Sequence, residues 1–146
     1  MSASLSAQEL AEQVREAMLR HDHATRHMGI EITAIGPGTA TAVMTVQAHM
    51  LNGHETCHGG FISTLADSAF AFACNSYNEV TVASGFDVSF LAPARGSDVL
   101  TATAHEVSRS GRTGVYDVDV RNQQGQRVAV FRGRSYSLKG KPVVAA

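Results

Sequence analysis

From Gly59 to Asn78 the chain runs twenty residues with one charged side chain, Asp67. A stretch like that has few places to go except the middle of a fold. Ile62, Leu65, Ala66, Ala69, Phe70 and Ala73 fall at helical spacing. Phe61 and Phe72 carry the apolar surface around much of the circumference, as a central, buried helix requires. A lone carboxylate in such a run costs roughly several kcal/mol to bury unless something hydrogen-bonds it. Either a nearby hydroxyl or amide satisfies Asp67, or its placement serves chemistry.

On both sides of this segment the periodicity changes. Gln8 to His21 reads as a short amphipathic helix, with Ser6 as its cap and Glu9 completing a capping box. His21 to His27 is expected to be a polar lead-in. Ile30-Glu31-Ile32 and Thr39 to Val46 read as strands joined by the turn Gly36-Pro37-Gly38. Gln47 to Cys57 is a loop with Asn52-Gly53 as its turn. Val80 to Leu91, Val99 to Val107, Val115 to Arg121 and Val128 to Leu138 are four more strands. In the first of these, Val80, Val82, Phe86, Val88 and Phe90 share one face. Lys139 to Ala146 is expected to be a frayed tail. The order implies an α+β layer, an antiparallel sheet of about six strands wrapped around one helix.

A chain of 146 residues supports one domain, here 28–138, with an N-terminal helix and lead-in over 1–27 and a tail over 139–146. Its net charge of −1 leaves no electrostatic footprint for nucleic acid. No apolar span reaches membrane length. Met1 to Glu12 lacks the pattern of a signal peptide, and two cysteines do not make a disulfide framework, so the expected compartment is the cytoplasm.

Two motifs invite other chemistry. His54-Glu55-Thr56-Cys57-His58 matches the H-E-x-x-H pattern of zinc peptidases, which needs both histidines on one continuous helix. Asn52-Gly53 before it and Gly59-Gly60 after it disfavour that helix, and no metal is expected. Cys57 beside His58 suggests a thiol nucleophile, but no third group orients the pair. Cys74, at helical spacing with Phe70, reads as core packing.

Gly59 and Gly60 permit close backbone approach at a helix start, where free N–H groups and the helix dipole favour negative charge. A carbonyl oxygen becoming an oxyanion would be stabilised there, most simply by the Gly59 N–H. Asp67 lies nine residues beyond His58, about 13 Å and two and a half turns along a helix, hence on the opposite face. If both groups act on one bond, they come from two copies with antiparallel helices across a two-fold axis.

Asn52, His58-Gly59-Gly60 and Asp67, followed by Phe90-Leu91-Ala92-Pro93-Ala94 and Gly111-Arg112, resemble the hotdog-fold acyl-CoA thioesterases. The resemblance covers roughly Met28 to Leu138, with the hotdog helix over about 59–78. It implies hydrolysis of a small, aromatic acyl-CoA to free CoA and a carboxylic acid, in phenylacetate degradation. It makes Asp67 the nucleophile or general base and the Gly59 N–H the oxyanion donor. It assigns Asn52 to holding the partner's carboxylate or the water, and His58 to orienting the loop or the leaving sulfur. Phe61, Thr64 and Ser68 are expected to line the pocket. CoA phosphates call for cations, and Arg109 and Arg112, with Arg132 and Arg134, are candidates. The expected assembly is a homodimer with shared sites, doubled to a homotetramer, with no cofactor beyond the CoA of the substrate. A hotdog protein that binds acyl-CoA without turnover is the alternative, and a hotdog hydratase or dehydratase a second.

Overall fold

The computed structural model describes residues 3–145. Helix α1 spans Ala7–Leu19 and begins on the expected capping box, in which Ser6 Oγ accepts the Glu9 N–H and the Glu9 carboxylate accepts the Ser6 N–H. The segment read as a lead-in contains a short helix, α2, His23–His27. Asp22 caps it, accepting the Thr25 N–H at 3.0 Å and the Thr25 hydroxyl at 2.7 Å.

Strands β1 (Glu31–Gly36), β2 (Thr39–Thr45), β3 (Thr81–Phe90), β4 (Val99–Ser110), β5 (Thr113–Arg121) and β6 (Arg127–Ser137) form one antiparallel sheet in the order β1-β2-β4-β5-β6-β3. The sheet curls around helix α3, Gly59–Asn75. Small side chains make the close approach possible. Ala40 and Ala42 of β2 face α3 beside Ala102 and Ala104 of β4, all buried. Phe70 fills the space above Gly133, where a Cβ would lie 2.8 Å from its ring. Leu65, Ala66, Ala69, Phe72 and Ala73 complete the inward surface of the helix.

Helix α3 stops at Asn75, three residues before Asn78. Ser76 Oγ donates to Ala73 O at 2.7 Å and receives the Gly38 N–H at 2.8 Å, which ties the helix end to the first hairpin. Lys139 to Val144 is docked rather than frayed. Val80 N–H donates to Lys141 O at 2.8 Å, and the Asn78 side chain bonds the backbone of Val144. The apolar residues of β3 do not share one face as expected. The bulge between Ala83 and Gly85 turns Val82, paired with exposed Tyr136, to the opposite face from Phe86, Val88 and Phe90, paired with Gly133, Phe131 and Ala129. Val88 packs against the core, while Phe86 and Phe90 stay 41% and 51% exposed. β3 is an edge strand, with β6 as its one hydrogen-bonded neighbour in the sheet.

Candidate active site

Asn52 builds the loop that leads into α3. Its Oδ1 accepts the N–H groups of His54 at 2.9 Å and Thr56 at 3.2 Å, while Nδ2 donates to Thr56 Oγ1 at 3.0 Å. Cys57 N–H donates to Ala94 O at 2.7 Å and His58 N–H to Met50 O at 2.8 Å, fixing the loop to its neighbours. The H-E-x-x-H segment is thus turn and bridge, with Glu55 at φ 61°, and presents no helical histidine pair. Burial pushes the Cys57 thiol up to about 11, against its use as a nucleophile at neutral pH. The Cys74 thiol is raised to about 12, chiefly by burial, inside the core.

His58 is the cap of α3. Its Nδ1 accepts the Gly60 N–H at 3.0 Å, which leaves Nε2 to carry the ring proton. The Phe61 N–H goes to His58 O at 3.0 Å. The Gly59 N–H is left without an acceptor among the described residues. Phe90 lies against it, since a Cβ on Gly59 would stand 2.7 Å from Phe90 Cζ. Gly59, Ile62 and Phe90 to Ala94 line a cleft of about 400 Å³ at this end of the helix. It pairs one free backbone donor with apolar walls, the combination that polarises a carbonyl without competing water.

Asp67 is half-buried and has no hydrogen-bond partner among the described residues. Desolvation, and then the Asp22 carboxylate, raise its pKa above the ordinary Asp value. Asp22 is placed by α2, and a chain of hydroxyls links it to α3. The Thr25 hydroxyl donates to Asp22, which leaves Ser68 to donate to Thr25 Oγ1 at 3.1 Å. Asp67 opens into a second cleft of about 430 Å³ with Phe70, Ala71, Cys74 and Val82. A raised, unpaired carboxylate beside an apolar cleft is a competent base.

The Gly59 amide and the Asp67 carboxylate therefore line separate clefts of one chain. Eight residues separate Gly59 from Asp67, about 12 Å of rise and some 80° of rotation. The separation is axial, not the opposite-face arrangement counted from His58, but it is equally too long for joint action on one bond. Phe61, Thr64 and Ser68 line neither cleft. Phe61 packs edge-on to His49 at 5.9 Å, and Thr64 Oγ1 donates to Gly60 O at 2.9 Å. The clefts are walled instead by Phe90 to Ala94 and by Met18, Phe70 and Val143. The apolar strand end with Pro93 was the sequence signal for the first set; nothing local signalled the second.

Arg109 and Arg112 flank the β4–β5 turn, at the far end of α3 from Gly59 within one chain. Arg109 stacks 3.6 Å over the Tyr77 ring, just past the C-terminus of α3. Arg132 is bound to Asp117 through two bonds of 2.7 and 2.8 Å, and Arg134 to Asp87 at 2.8 Å.

The family profile of the thioesterase superfamily matches residues 54–129, from the Asn52 loop through α3 into β6. The chain is also 47% identical over 124 residues to the acyl-coenzyme A thioesterase PaaI of Escherichia coli, covering 85% of this chain and 89% of that protein. This chain belongs to the thioesterase superfamily. Its fold is the hotdog fold. The solved structure of E. coli PaaI, from the phenylacetic acid degradation operon, superposes with a TM-score of 0.91 at 45% identity, covering 93% and 99% of the two chains. A Streptococcus pneumoniae thioesterase protein solved with coenzyme A is similar at a TM-score of 0.73 and 26% identity, over 77% and 90%. This superfamily member has no helix among its described residues long and apolar enough to cross a membrane.

Proposed function

We propose that this thioesterase-superfamily enzyme hydrolyses small acyl-CoA thioesters, with aromatic acyl groups of the phenylacetyl type preferred, to CoA and the free acid. The observation that carries the reading is the Asp67 carboxylate, half-buried and without a hydrogen-bond partner among the described residues. A structural aspartate is satisfied by its neighbours; this one is held ready for a ligand or a water.

In this reading the thioester carbonyl oxygen receives the Gly59 N–H, and the α3 dipole favours the charge that develops there. Asp67 of the other subunit either takes a proton from the water that attacks the carbonyl carbon, or attacks that carbon itself. The C–S bond then breaks, and the sulfur leaves as CoA thiolate and takes up a proton. The first route gives the free acid directly; the second gives an acyl anhydride of Asp67, which water hydrolyses to the free acid and the restored carboxylate. His58 holds the Gly60 N–H and so aims the neighbouring Gly59 N–H into its cleft. Asn52 acts through the loop it builds, with one Nδ2 hydrogen still available to a water or to the partner's carboxylate.

A homodimer is needed to bring the two half-sites together, and β3 is the surface that supports one. It is an edge strand with a single hydrogen-bonded neighbour, and its apolar side chains are left uncovered. Pairing of two dimers would give a tetramer. The likeness to PaaI of the phenylacetic acid degradation operon supports the aromatic acyl class. Both cysteines are free and buried, which fits a reducing cytoplasm.

The test is thiol release from a panel of aromatic and aliphatic acyl-CoAs, with wild type beside Asp67→Asn. Release from phenylacetyl-CoA that disappears in the variant supports the reaction and its base. Binding of every acyl-CoA with no release from any would overturn turnover in favour of a binding protein.

A further inference from the structure

One wall of the Asp67 cleft comes from neither the sheet nor its central helix. Val143, beyond β6, lines the cleft together with Phe70 and Cys74 of α3 and Met18 of α1. Its neighbour Val144 is clamped at both backbone groups by one side chain. Asn78 Oδ1 accepts the Val144 N–H at 2.7 Å, and Asn78 Nδ2 donates to Val144 O at 3.0 Å. The Val80 N–H to Lys141 O bond of 2.8 Å secures the same segment three residues earlier. Asn78 itself sits at φ 65°, where asparagine is among the few tolerated non-glycine residues.

The other polar side chains along this cleft are already occupied. Asn75 Oδ1 accepts the Thr81 N–H at 2.9 Å, and its Nδ2 donates to Thr81 O at 2.9 Å and Ala71 O at 2.8 Å. Thr81 Oγ1 donates to Glu79 O at 2.8 Å. A group placed here meets apolar walls and one unpaired carboxylate. That is the environment for the uncharged end of an acyl group whose carbonyl is held near the carboxylate.

We propose that Val143, held by the Asn78 clamp, is a specificity-determining residue that limits the size of the acyl group accepted beside Asp67. The inference rests on the thioesterase reading above. It adds a size limit set by a segment outside the sheet and its helices.

The test uses full-length wild type, Val143→Trp and Asn78→Gly, each checked for folding by circular dichroism. Asn78→Gly suits the positive φ and removes both bonds to Val144, so it frees the wall without replacing a residue that lines the cleft. Two readouts are taken: kcat/KM for acetyl-, phenylacetyl- and naphthylacetyl-CoA, and Kd for their non-hydrolysable thioether analogues. Val143→Trp is expected to lower the preference for phenylacetyl over acetyl about tenfold, in both readouts. Asn78→Gly is expected to raise naphthylacetyl relative to phenylacetyl by about threefold or more. Unchanged preferences in Asn78→Gly, or in both variants, overturn the proposal while thiol release by wild type leaves the thioesterase reading intact. A wild type that releases no thiol sinks that reading instead. The analogue Kd values then decide the wall by themselves, a shifted preference supporting it and an unshifted one overturning it.

Discussion

The Phe90 ring rests on Gly59: a Cβ at that glycine would stand 2.7 Å from Phe90 Cζ. This contact closes an apolar surface over the Gly59 amide, which has no acceptor among the described residues. It also explains why the position is glycine although its φ is not positive. Space, not backbone conformation, excludes a side chain there.

Gly59→Ala should therefore fold and fail. Phe90 is half exposed and can swing away, so the thermal midpoint should fall by no more than a few degrees. The displaced ring and amide should lower kcat/KM about 10- to 100-fold. Adding Phe90→Ala relieves the clash and should recover part of the loss. A double-mutant cycle with no coupling between the two positions would show that the ring does not constrain this amide.

Asp67→Asn should lower kcat about 10²- to 10⁴-fold, the range for losing a general base. Its effect on stability should have the opposite sign. Burial, then Asp22, hold the folded-state pKa of Asp67 above its unfolded value, so the native state binds that proton more tightly. Stability is lost as pH rises from the ordinary Asp value through the raised one. Urea unfolding at pH 7 should find Asp67→Asn the more stable protein, and the gain should vanish near pH 3.

Asp22→Asn keeps a capping oxygen for α2 but removes the charge near Asp67. The acid limb of the kcat/KM profile should move to lower pH in this variant. A limb that stays in place would mean that desolvation alone tunes the base.

Mixing refolded Asp67→Asn and Gly59→Ala chains in equal amounts should recover about a quarter of wild-type activity. Half of the dimers are mixed, and each mixed dimer keeps one intact site of two. Mixed dimers without recovery, detected by mass spectrometry, would refute the shared site.

Neither cysteine should matter to turnover. With Cys57 pushed up to about 11, only about one thiol in a thousand is ionised at pH 8, and Cys74 is higher still. Iodoacetamide treatment of the folded protein should leave thiol release unchanged, as should Cys57→Ser.

What the sequence made legible was the part governed by neighbours along the chain. Ser6 and Glu9 fixed one helix start, and Gly36-Pro37-Gly38 a hairpin, because both signals act within four residues. α2 was invisible because five residues are too few for a period, and its one cap, Asp22, looks like any polar residue of a lead-in. The alternation read in β3 could reveal neither the bulge between Ala83 and Gly85, which puts Val82 on the other face from Phe86, nor the exposure of Phe86 and Phe90 at the sheet edge. Gly59 and Asp67 could be singled out because each breaks the logic of an apolar helix. Phe61, Thr64 and Ser68 could not be placed, since spacing assigns a face and not what lies across it. The docking of Val144 on Asn78 joins residues 66 positions apart and leaves no local trace.

The position of β3 at the sheet margin bears on how the protein works in dilution. If the half-site at Gly59 is completed only by another chain's Asp67, specific activity is a function of protein concentration. Progressive dilution would silence the enzyme with every chain still folded, and a saturating acyl-CoA analogue bound across the seam would hold the assembly together. Catalytic capacity would then follow the abundance of the chain more steeply than in direct proportion.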